Sequence, residues 1–179
     1  MSSRHGYDGL RPMAMQEMVI YGVSFDQVGR LPFVLLKTAE GNRFLPIWIG
    51  APEAQAILMK LQGTAAPRPL THDLFTSILG QLEAKVERIS VTDLKENTFY
   101  AVITLAREGG EEIEIDSRPS DAIALAVRAD APIFAADSVI DEASVVYKGN
   151  DLDQDAIVAQ FKEFLDSVTP DEFAGGQDS

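Results

Sequence analysis

The stretch VERISVTDLKENTFYAVITLAREGGEEIEID, Val86 to Asp116, decides the fold class. Val86 to Leu94 and Thr98 to Arg107 are rich in β-branched and aromatic residues and read as strands. Lys95-Glu96-Asn97 is too short to be anything but a tight turn between them. Gly109-Gly110 marks a second hairpin into Glu112 to Asp116. There Ile113 and Ile115 alternate with Glu112, Glu114 and Asp116, so one face is expected to be solvated. Consecutive strands joined by turns are antiparallel, which points away from a doubly wound α/β chain.

Upstream, Met18 to Phe25, Pro32 to Thr38 and Arg43 to Ile49 read as three more strands, with turns at Gln27 to Leu31 and at Glu40-Gly41-Asn42. Single helices separate the strand groups. One begins at Gly50-Ala51-Pro52-Glu53, carries Ala54, Ile57, Leu58 and Leu61 as its stripe, and stops at Gly63. A second follows Thr71, read as its N-cap, with Leu74, Ile78, Leu79 and Leu82 as the apolar face. A third runs from Pro119 to Ala129 and ends before Pro132, with Ile133 to Ala135 a short strand. The expected class is α+β, a mainly antiparallel sheet with three helices and a C-terminal amphipathic helix. That last helix, Asp153 to Val168, follows a linker at Lys148 to Asp153 and shows Ile157, Phe161, Phe164, Leu165 and Val168 on one side.

The expected organisation is a flexible N-terminus at 1–15, one domain at 16–147, and a linker, acidic helix and tail at 148–179. The 179 residues carry a formal charge of −13, of which −8 falls after Ile140. That balance excludes a broadly basic nucleic-acid binder, though not a local positive patch on the main domain. The absence of cysteine excludes disulfides, thiolate metal sites and cysteine nucleophiles. No apolar run reaches the roughly 18 residues of a membrane helix, and the first ten residues lack the core of a secretion signal. The expected location is the cytoplasm.

The candidate chemistry sits at two Arg-Pro steps. One is Arg68-Pro69-Leu70-Thr71-His72-Asp73-Leu74, the other Arg118-Pro119-Ser120-Asp121-Ala122-Ile123-Ala124-Leu125-Ala126. Each reads as the opening of a helix with an acidic residue in its first turn. Free N–H groups, the helix dipole and a guanidinium can together hold an anion, phosphate above all. Arg68 and Arg118 are therefore the candidate phosphate ligands; each reads equally well as an arginine that pins its loop to a nearby carboxylate. His72 is the candidate base or metal ligand, since His5 lies in the N-terminal segment and a helix start disfavours imidazolium. Asp73, Asp121 and Glu53 read as helix-start carboxylates that complement the dipole. The sharper expectation sets Asp73 with His72 near the attacking water and Glu53, Asp116 and Asp121 as carboxylates for metal or orientation, all four carboxylates converging on one magnesium ion. Trp48 lies between Ile47 and Ile49 and is expected to point away from them, into the core, against another subunit or under a base.

These two steps, together with Phe44-Leu45-Pro46-Ile47-Trp48-Ile49-Gly50 and Glu53-Ala54, resemble the bifunctional nuclease domain family in order and spacing. The resemblance covers roughly Met18 to Ala143, and the segment Phe161 to Phe173 is similar to the C-terminus of actinobacterial members. It implies a compact α+β domain and cleavage of both RNA and DNA. The family offers no catalytic motif to carry over residue by residue, so the site assignments rest on chemistry. A homo-oligomer is expected, with the C-terminal helix docked on its own domain or on a partner chain. The rival expectation is a non-catalytic module that binds an anionic ligand or a protein.

Overall fold

A computed structural model describes residues 13–25 and 31–147. Its strands are β1 (Met15–Phe25), β2 (Pro32–Thr38), β3 (Arg43–Trp48), β4 (Ala84–Lys95), β5 (Thr98–Arg107), β6 (Glu112–Ser117), β7 (Ile133–Ala136) and β8 (Val145–Val146). The helices are α1 (Ala51–Leu61), α2 (Thr71–Gln81), α3 (Pro119–Ala129) and α4 (Asp137–Ala143). The strands form one sheet in the order β6-β5-β4-β7-β1-β2-β3-β8. Every pairing is antiparallel except β4 with β7. The α+β class and the mainly antiparallel sheet are as the sequence predicts.

The turn chemistry explains the β4–β5–β6 meander. Glu96 and Asn97 both adopt positive φ, the conformation a two-residue primed turn requires, and Lys95 pairs with Thr98 across it. Gly109 and Gly110, at φ 101° and 85°, close the next hairpin. Alternation then sorts the side chains. Val86, Ile89 and Val91 of β4 and Ala101, Ile103 and Leu105 of β5 enter the main core beneath the helices. Glu112, Glu114 and Asp116 occupy the opposite, exposed side of β6. On β2 and β3 the split puts Val34, Leu36, Leu45 and Ile47 in the main core, and Phe33, Leu35 and Phe44 in a second cluster with Tyr21, Trp48, Val145 and Tyr147. Trp48 thus points away from Ile47 and Ile49, its ring 6.1 Å from that of Phe33.

α3 is the central helix. It leaves the β6 edge, lies over β5 and β4, and meets α1 and α2 on the way to β7. Ala122, Ala124 and Ala126 are buried along with Ile123 and Leu125, and the small side chains let the neighbouring helix approach closely. α1 leaves β3 from the other half of the sheet and packs on β1, β2 and α3. The two crossovers therefore bring helix starts from distant parts of the chain together above the sheet.

Some expectations need correction. Thr71 is the first residue of α2, and its N-cap is Leu70. The Asp73 carboxylate reaches back to accept the Leu70 N–H at 2.9 Å, so the acidic residue, not the hydroxyl, fixes the helix start. The expected apolar face of α2 is mostly uncovered: Leu79 is buried, whereas Leu74, Ile78 and Leu82 are exposed. α4 and β8 are additional elements. The expected turn at Gln27 to Leu31 lies largely outside the described residues, as do the N-terminal segment through residue 12, the linker and the C-terminal helix. Among the described residues no helix is long and apolar enough to cross a membrane.

Candidate active site at the meeting of three helix starts

The N-terminal turns of α1, α2 and α3 are tied together by one chain of polar contacts. Glu53 is in the first turn of α1, His72 in that of α2, and Arg118 is the N-cap of α3 with Asp121 in its first turn. Arg118 donates from Nη2 to Glu53 Oε1 at 2.9 Å and from Nε to Asp121 Oδ2 at 2.8 Å. The other Asp121 oxygen, Oδ1, lies 3.0 Å from His72 Nε2. The order is Glu53–Arg118–Asp121–His72, spanning 68 residues of sequence from Glu53 to Asp121. Gly50 makes room for it, because a Cβ there would collide with Glu53 Oε2.

The electrostatics fix the protons. Burial works to raise the Asp121 carboxyl, but hydrogen bonds from Arg118 and His72 outweigh it and hold the group below the usual carboxylate range. Asp121 raises Arg118 in turn, against burial, with Glu53 adding to the effect. With Asp121 ionised, the oxygen can only accept, so the 3.0 Å contact requires a hydrogen on His72 Nε2 and places the lone pair of an uncharged ring on Nδ1. The His72 side chain is 13% exposed, so little water competes for the Asp121 bond. An aspartate that fixes one imidazole nitrogen leaves the other defined as a proton acceptor.

Asp73 is drawn elsewhere. Its Oδ1 accepts from Arg128 Nε at 2.6 Å, and this bond, with the Leu70 N–H, holds its carboxyl low. Arg128, whose side chain is 6% exposed, also donates to Ala124 O and to Ala56 O. It thus stitches α2, α3 and α1 together two turns along α3 from Asp121. Sequence reasoning gave Arg128 no role; a basic residue in a last helical turn signals only dipole complementarity.

Arg68 does not stand where Arg118 does. Pro69 precedes the N-cap of α2, so Arg68 lies in the loop ahead of the helix. It is exposed and makes no hydrogen bond or ion pair to a described residue. It lines an open cleft of about 390 Å³ with Lys60, Leu70, Asp73, Ser77 and Arg128. Of its three charged neighbours there, Asp73 and Arg128 neutralise each other, which leaves Lys60 and Arg68 as a positive rim.

The four-carboxylate magnesium set is not the arrangement found. Among the described residues no three His, Asp or Glu side chains converge as metal ligands. Glu53 and Asp121 both address Arg118, and Asp73 addresses Arg128. Asp116 of β6 pairs opposite Val102 of β5, and the pleat sends it to the face of Glu112 and Glu114, away from the helix layer. A cation would first have to displace Arg118 from its carboxylates.

The family described as Bifunctional nuclease domain matches residues 34–148, which contain every residue of this cluster. An uncharacterized protein of Mycobacterium tuberculosis is 39% identical over 166 residues, covering 89% of this chain and 98% of its own. Bifunctional nuclease 1 of Oryza sativa subsp. japonica is 29% identical over 103 residues, covering 56% of this chain and 31% of its own. The match spans most of the described fold and all three helix starts, and the chain belongs to the bifunctional nuclease domain family.

Proposed function

We propose that the chain is a nuclease that hydrolyses phosphodiester bonds of RNA and DNA, with the His72–Asp121 pair as its proton-handling centre. The observation that carries this reading is the 3.0 Å contact between His72 Nε2 and Asp121 Oδ1. It joins the two Arg-Pro segments and supports Nδ1 as the base, since an Nε2 hydrogen held by Asp121 leaves the lone pair there. In this scheme water attacks phosphorus and its proton passes to His72 Nδ1. The bond to the leaving oxygen breaks, and that oxygen takes a proton from solvent. Asp121 orients the imidazole and stabilises its charged form. Arg118 keeps Asp121 in place and is itself paired with Glu53. Arg68 and Lys60 form the rim that meets the nucleic-acid backbone, as free cations do in most phosphate contacts. Glu53 and Asp73 act as orienting carboxylates rather than as metal ligands.

A second reading, a non-catalytic module that binds a partner protein, is favoured by one observation. Glu53 and Asp121 more than offset the single charge of Arg118, so the three helix starts offer little net positive field to a phosphate. Incubating the protein with single-stranded RNA and DNA, with Mg²⁺ or with EDTA, separates the readings. Cleavage that is lost in His72→Ala supports the nuclease; cleavage unchanged in His72→Ala and in Asp121→Asn removes this site from it. No cleavage under any metal favours the binding module.

A further inference from the structure

α2 carries an apolar surface that remains exposed among the described residues. Leu70, Leu74, Ile78 and Leu82 recur every four residues along its outer side, flanked by Phe75. Leu74 is 53% exposed, Ile78 47% and Leu82 63%, with Leu70 and Phe75 also exposed. The remaining residues on this side, Thr71 and Gln81, are uncharged, whereas His72 and Asp73 turn inward to Asp121 and Arg128. A four-residue ridge is the pattern by which one helix packs into the same ridge of another.

The exposed parts of these five side chains amount to roughly 500 Å², near the upper end of the largest apolar patch on an ordinary monomer. Two copies in contact would bury about 1,000 Å² with the flanking residues, the lower bound for a specific interface. Charge narrows the occupant further. A chain of formal charge −13 repels its own copy, and an uncharged face is where two copies approach with the least repulsion.

We propose that α2 is the self-association surface of this protein, pairing with α2 of a second copy through Leu70, Leu74, Ile78 and Leu82. The association is isologous, so each ridge meets its own equivalent about a two-fold axis. With so small an area it is a reversible, concentration-dependent dimer, and the inner side of α2, with His72, stays on its own domain.

Light scattering on the full chain over roughly 1 to 200 µM tests this, since mass action must populate a dimer of modest area within that range. The expected result is a rise from one to two chain masses in the wild type and a single chain mass throughout for Ile78→Glu. Ile115→Glu, on the open β6 edge, is expected to dimerise as the wild type does. Should Ile78→Glu fail to fold, Ile78→Cys in this cysteine-free chain provides the second route. A short bismaleimide is expected to link two copies through position 78 and not through Ile115→Cys. A wild type that stays monomeric throughout overturns the proposal and gives the face to another occupant, either residues 153–168 of the same chain or a different protein. So does a folded Ile78→Glu protein that still dimerises, or cross-linking through position 115 instead of 78.

Discussion

Pro119 is the first residue of α3 and Arg118 its N-cap, whereas Pro69 stands one residue ahead of the N-cap of α2 and Arg68 two. Two residues of offset separate two kinds of arginine. At the N-cap, Arg118 is carried by the helix and its side chain folds back onto Asp121 in the same first turn, with Glu53 of α1 closing the other side. In the loop, Arg68 has no such carboxylate and projects from the rim of an open cleft. The lesson is that a repeated dipeptide fixes a backbone bend but not a role. Which cation is available to an anion depends on whether neighbouring helices deliver carboxylates to it.

The largest effect that could break this comparison is on catalysis. If Arg118 belongs to the His72 machinery, then His72→Ala is expected to lower the cleavage rate by about a hundredfold or more, the usual weight of a general base. Asp121→Asn should follow it by removing the ionised acceptor that fixes the imidazole. Single-turnover assays on RNA and DNA oligonucleotides measure both. Equal rates in all three proteins would mean that the cluster is only a joint.

Next comes the arginine that neither Arg-Pro step contains. Arg128 serves Asp73 and two backbone carbonyls from a nearly water-free position. Arg128→Ala is expected to cost about 2 kcal/mol, because those acceptors lose their donor while Asp73 remains partly able to rehydrate. Denaturant unfolding reports it. A loss below about 0.5 kcal/mol, the range of an ordinary surface change, would show that the three helices do not depend on the stitch.

Smaller still is the contrast in stability between the two arginines themselves. Arg118→Ala is expected to cost about 1 kcal/mol, since its side chain is 65% exposed and screening discounts its two ion pairs. Arg68→Ala, with no described partner to lose, should stay within about 0.5 kcal/mol of the wild type. The same denaturant curves decide it, and a larger loss for Arg68→Ala would invert the comparison.

Acid sharpens it further. Asp73, held by Arg128, and Asp121, held by Arg118 and His72 against its burial, both titrate below the ordinary 3.8 in the folded protein. A depressed folded value means that their stabilisation is complete above the unfolded value near 3.8 and disappears as pH falls through the lower folded value. The wild type should therefore lose stability as pH drops from about 4 towards 2 more steeply than Asp73→Asn or Asp121→Asn. Parallel pH profiles for the three proteins would remove the carboxylates from the account.

Much of this was legible in the sequence, and the limit of legibility has a physical form. The Lys95-Glu96-Asn97 turn, the paired glycines and the alternation of β6 are local rules, and the structure follows them. So is the start of α3 at Pro119. Local rules in competition are harder: Thr71 reads as a cap until Asp73, two residues on, takes the N-cap N–H. Seven residues of α4 are too few to show a period, although Val139 and Ile140 are buried. Long-range pairing leaves no local trace at all. Nothing near Arg118 announces Glu53, and nothing near Asp73 announces Arg128; both follow from crossovers that bring α1 and α2 onto α3. The α2 stripe shows the converse, for apolar periodicity marks a face to be covered without saying by what.

The measurement that bears most directly on the difference between the two arginines is the salt dependence of binding to a labelled single-stranded oligonucleotide. A backbone cation contributes about 0.7 to the log–log salt slope on single strands. The expected result is that Arg68→Ala weakens binding and lowers the slope by about that amount, while Arg118→Ala leaves the slope unchanged. A slope lowered by Arg118→Ala and untouched by Arg68→Ala would contradict the account.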